Sequence, residues 1–96
     1  EGSDYARGVF IISSKKELIK EFIFLYINRG VTEFDGRTGF LGKETEILFS
    51  AMSRKQVPTL KRYVRKIDPD AFMVVTEVYE IIGHGFTLRN IIDSGN

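Results

Sequence analysis

Lys15 and Lys16 open a stretch with helical apolar spacing, and Lys43 follows a segment in which Gly36, Gly39 and Gly42 recur every third residue. Ammonium groups, the unpaired backbone N–H groups of a helix start and a glycine loop together are the ingredients of an anion or phosphate site. These six residues are the candidate ligand-binding set. The segment departs from the phosphate-binding loop pattern, because Arg37 stands where its first glycine belongs and Glu44 follows Lys43 in place of Ser or Thr. Glycines serving turn geometry and lysines serving solvation are the plainer account of the same residues. A second basic cluster, Arg29, Arg54 and Lys55, falls near the expected start of the second helix. Cations at a positive helix end are mildly unfavourable unless something anionic compensates.

Other chemistry finds little support. His84 is the only histidine and there are no cysteines, so neither metal-ligand spacing nor a thiolate nucleophile is present. No nucleophile–base pattern stands out, and neither an enzyme nor a cofactor is expected. Fourteen basic against thirteen acidic residues give a formal net charge of +1, which supplies no chain-wide field for nucleic acid or a membrane surface. The stretch Arg37-Thr38-Gly39-Phe40-Leu41 does not match the basic-Gly-aromatic-Gly-aromatic signature of RNA-recognition modules, so nucleic acid is not an expected partner.

The elements that must position these residues follow from periodicity. Tyr5 to Ile12 ends in a β-rich run, and Ser14 with Glu17 forms a capping-box pattern that starts a helix near Lys15. Leu18, Ile19, Phe22, Ile23 and Tyr26 recur at helical spacing, with Gly30 as the expected left-handed stop. Val31 to Phe34 reads as a strand, the stretch from Asp35 to Gly42 as a loop or widened hairpin, and Thr45 to Ala51 as a third strand. Ser53 and Gln56 form a second capping box ahead of the stripe Val57, Leu60, Tyr63, Val64 and Ile67, which stops at Asp68-Pro69-Asp70. Ala71 to Val78 is the fourth strand. The order predicts one α+β domain, a ferredoxin-like split β-α-β-β-α-β sandwich with an antiparallel sheet and two helices on one face. Its core spans about residues 6–86, with 87–96 as a tail. The longest apolar run, Phe22 to Ile27, falls far short of the roughly 20 residues a membrane span needs.

With helices on one face only, the strands should alternate apolar and polar residues. They do not: Phe10 and Ile12 interleave with Val9 and Ile11, Leu48 lies between Ile47 and Phe49, and Met73 and Val75 interleave with Phe72 and Val74. The second face is therefore expected to be covered, by another copy of the chain or by the tail around Phe86. Homo-oligomer formation is the preferred expectation.

Arg29-Gly30-Val31-Thr32, the loop from Asp35-Gly36 through Gly39-Phe40 to Gly42-Lys43, Ser53-Arg54, Asp68-Pro69-Asp70-Ala71-Phe72, and Glu80, Gly83 and Gly85-Phe86 occur in an order and spacing that resembles the C-terminal domain of the YitT family of bacterial multi-pass membrane proteins. The resemblance runs from about Gly8 to Phe86. It implies a domain on the cytoplasmic side of the membrane, joined to a membrane domain of the same polypeptide, with an architecture similar to the trimeric PII-like proteins. Those relatives bind nucleotides in clefts between subunits near the equivalent of the glycine loop, which here is much shorter. The implied function is regulation or sensing of a small, nucleotide-like anionic ligand. The alternative is a structural oligomerisation module that binds nothing small.

Overall fold

In the computed structural model, which describes residues 6–82, the chain forms β1 (Ala6–Ile12), α1 (Lys16–Phe22), a π-helical turn (Ile23–Ile27), β2 (Thr32–Arg37), β3 (Glu44–Ser53), a 3-10 turn (Arg54–Gln56), α2 (Val57–Ile67) and β4 (Phe72–Val78). The strands make one antiparallel sheet in the order β2-β3-β1-β4. This is the expected ferredoxin-like arrangement, with β1 and β3 central and β4 on an edge. The residues from Gly83 onward, including His84 and the expected tail, lie outside the described part.

Register decides which side chains share a face. Ile11 pairs with Leu48 and Met73, and Val9 with Ser50 and Val75, so these residues point together toward the helices. There they meet Ile19, Ile23 and Ile27 from the first helical segment and Val57, Leu60 and Val64 from α2, all buried. Phe22 stacks on Tyr63 with ring centroids 3.9 Å apart and planes 3° from parallel, joining the two helices. Ser50, a buried polar side chain in this layer, donates its hydroxyl to the Gly30 carbonyl at 2.8 Å and so avoids the penalty of an unpaired buried group.

Three boundaries differ from the sequence reading. The first helix is entered through Ser13, whose Oγ accepts the Lys15 N–H at 2.9 Å and donates to Asp68 at 2.5 Å; Ser14 makes no cap. The preceding serine wins because Asp68, at the end of α2, holds its hydroxyl in place. The helix then widens at Ile23–Ile27, where the Asn28 N–H reaches the Ile23 carbonyl at 2.8 Å, five residues back. Asn28, with φ 70°, is the left-handed stop expected at Gly30. Finally, β2 continues through Asp35, Gly36 and Arg37, paired with Glu46, Thr45 and Glu44, so Asp35-Gly36 is a strand segment and not a turn.

Candidate functional site

β3 starts beyond the end of β1, so the β2–β3 hairpin and the start of α1 share one end of the sheet, as the topology predicts. Lys16 does not reach toward the hairpin tip. Its ammonium pairs with Glu46 of β3, with Glu33 of β2 at 3.1 Å and with Glu17 at 3.6 Å. Lys20 meets Glu33 at 2.7 Å and Glu17 at 3.2 Å. The hydrogen bonds it donates to Glu46 and then Glu33 raise the Lys16 ammonium well above the ordinary lysine range, and those from Lys20 and then Lys16 lower the Glu33 carboxyl. Three carboxylates thus hold two ammonium groups. Sequence spacing could not find this set, since Glu33 and Glu46 come from different strands and meet α1 only through the register.

The other five candidates take separate places. Lys15 is exposed at the start of α1 and donates its backbone N–H to Ser13 Oγ at 2.9 Å. The Lys43 backbone closes the hairpin: its N–H donates to Thr38 Oγ1 at 3.0 Å and its carbonyl accepts the Thr38 N–H at 2.8 Å. Gly42 has φ 68°, a conformation L side chains rarely adopt, and is the turn glycine of the loop. Gly36 lies within β2, where an added Cβ would come within 3.2 Å of Ile47 Cδ1, while at Gly39 the space is open. The open groove beside the hairpin is lined by Asp35, Gly36, Arg37, Glu44, Thr45 and Glu46. Three carboxylates against one guanidinium make a poor cradle for phosphate. On the hairpin tip, Phe40 is 96% exposed.

At the other end of the sheet the second basic cluster is partly assembled around Gln56, a residue that stands out in the sequence only for its cap. Gln56 Oε1 accepts the Ser53 N–H at 3.0 Å and Arg29 Nε–H at 3.2 Å, while its Nε2 donates to the Ile27 carbonyl at 2.7 Å. Arg29 is therefore anchored to the turn that carries Arg54 and Lys55, and those two side chains are exposed.

Among the described residues, no helix packs on the sheet face away from α1 and α2, and it carries a row of apolar side chains. Phe10 pairs across with Phe49 and Val74, Ile12 with Phe72, and Phe34 with Ile47. The Phe10 and Phe49 rings lie 4.8 Å apart and those of Phe34 and Phe49 6.5 Å apart, forming an aromatic ladder across β1, β3 and β2. Phe72 is 61% exposed, Phe34 46% and Phe10 37%.

A family model described as an uncharacterized protein conserved in bacteria, DUF2179, matches residues 29–83. The chain belongs to the DUF2179 family. It is 36% identical over 88 residues to the UPF0750 membrane protein YpjC of Bacillus subtilis, covering 92% of this chain and 30% of that protein. It is also 27% identical over 73 residues to YitT of the same organism, covering 76% of this chain and 26% of that protein. The chain thus spans about a third or less of these relatives' length, and among the described residues no helix is long and apolar enough to cross a membrane. A DUF2179 crystal structure from Eubacterium ventriosum aligns with TM-score 0.64 and 27% identity over 74% of this chain and 97% of that one. CutA from Synechococcus elongatus aligns with TM-score 0.57 at 12% identity, over 82% of this chain and 81% of that one, which shows a shared fold. The expected kinship with the YitT family and the PII-like ferredoxin fold both hold.

Proposed function

We propose that this DUF2179 domain is an association module on the cytoplasmic side of a membrane protein, in which copies of the chain meet through the open sheet face. The exposed ladder of Phe10, Phe34, Phe72 and Val74 supports this reading. Contiguous apolar faces of this kind are seldom left to water, and aromatic side chains dominate interface energies. Sedimentation of the domain at micromolar concentration is expected to show an oligomer. Phe72→Lys with Phe34→Lys should weaken association by about 30-fold or more, at unchanged fold, because both rings lie outside the packed core. A monomer at all concentrations would overturn the proposal.

A second reading, sensing of a nucleotide-like anion at the hairpin, rests on the side chains of Arg37 and Lys43 flanking the glycine loop. The carboxylates of Asp35, Glu44 and Glu46 line the same groove, so assembly is the better-supported role. A nucleotide that raises the melting temperature of the wild type and not of Lys43→Gln would reverse that order.

A further inference from the structure

The +1 net charge conceals a strong segregation. Between Arg54 and Ile67 the chain places Arg54, Lys55, Lys61, Arg62, Arg65 and Lys66, six of its fourteen cations, and no carboxylate. All six are exposed, and none makes an ion pair with a described residue. At about 100° per residue, Lys61, Arg62, Arg65 and Lys66 fall within an arc of roughly 140°. Val57, Leu60 and Val64 occupy the opposite side of the helix and are buried in the core. The next carboxylate along the chain, Asp68 after the end of the helix, accepts the Ser13 hydroxyl and makes no ion pair with these cations.

Nothing in the fold calls for this arrangement. Lys61 with Arg65 and Arg62 with Lys66 are like charges four residues apart, a spacing that weakens a helix, and Arg54 and Lys55 sit at its positive end. On α1 the corresponding lysines are matched by Glu17, Glu33 and Glu46. A row of solvated cations on one side of an amphipathic helix fits a broad polyanionic surface. Relatives that share this domain are named membrane proteins.

We propose that the outward face of α2, with Arg54 and Lys55 at its start, docks the domain on the anionic phospholipid surface of a bilayer. The helices and the apolar ladder occupy opposite sides of the sheet, so association through the ladder leaves α2 exposed. Binding is electrostatic and falls off within a Debye length, with each cation in contact worth about fivefold in affinity.

The test is cosedimentation of the 96-residue chain with vesicles of phosphatidylcholine alone and of equimolar phosphatidylcholine and phosphatidylglycerol. Binding is expected only to the anionic vesicles and is lost in high salt. Lys61→Glu with Arg65→Glu should lower the partition coefficient by ~25-fold or more, and Lys61→Arg with Arg65→Lys should retain it. Melting curves report whether each variant is folded, and Arg62→Glu with Lys66→Glu provides an independent reversal on the same face. Absence of binding to anionic vesicles at low salt overturns the proposal, as does binding that survives both reversals. Tighter binding to RNA than to vesicles also overturns it, assigning the face to nucleic acid. Sedimentation without vesicles reads the assembly proposal separately, so either can fail while the other stands.

Discussion

The two helices rest on the same sheet and solve the same packing problem, yet their charged sides differ. The outer residues of α1 are tied to the sheet beneath: Lys16 and Lys20 converge on Glu33, and Glu46 completes the set. Those of α2 make no ion pair with a described residue; Arg62 reaches only Thr59 on its own helix. Charges that serve folding are answered by counter-charges within the fold, and charges that are not answered there point outward. Net charge, which averages both helices, cannot distinguish the two cases.

The largest test of this contrast removes the apolar grip on which α2 depends. Leu60 is fully buried, and Leu60→Ala should cost about 2–5 kcal/mol in a denaturant melt. Leu18→Ala on α1, at a half-exposed position supported by the adjacent ion pairs, should cost well under half of that. Comparable losses would show that α1 leans on its apolar contacts as much as α2 does.

Breaking the neutralised side should have a smaller effect with a definite pH signature. Glu33→Gln is expected to lower the melting temperature at neutral pH. Because Lys20 and Lys16 depress the Glu33 carboxyl in the folded state, its contribution is complete above the ordinary carboxylate range and disappears as pH falls through the depressed folded value. The raised Lys16 and Lys20 ammonium groups contribute fully below the ordinary lysine range, and that contribution is lost only as pH rises through their elevated values. The wild type and Glu33→Gln should therefore converge in acid. A difference that persists unchanged well below about pH 3 would deny Glu33 this role.

The smallest effect has the opposite sign. Lys61→Glu replaces a repulsion with Arg65 by an attraction at the favourable spacing, and should stabilise the folded domain by a few tenths of a kcal/mol in a chemical melt. A gain would show that folding alone prefers a carboxylate there. A loss would mean that Lys61 serves the native structure through a contact of its own.

Much of this fold is legible in the sequence. Short β-rich apolar runs bounded by turn and cap residues mark the four strands, and helical spacing marks the two helices. The doubly apolar strands mark the second face through residue types such as Phe10 and Phe72, since a strand side exposed to water would ordinarily carry polar residues. The cap at Ser13 is not legible, because its partner Asp68 lies 55 residues away. Nor is the extension of β2 through Asp35-Gly36, where pairing with Glu46 and Thr45 overrides a strong local turn signal. At the hairpin, topology places Lys16 correctly at that end of the sheet. Glu33 and Glu46, which claim its ammonium group, emerge only once strand register is known.

The wide turn at Ile23–Ile27 holds one residue more than α-helical winding would over the same height. That surplus is a store of chain length. Removal of one exposed residue there, such as Leu25, can return the segment to ordinary winding while Ile19 and Ile23 stay in the core, with the left-handed stop passing to whichever residue then follows. Insertions and deletions in this helix can therefore be absorbed locally, before they reach the start of β2 and shift the pairing of Glu33 with Leu48.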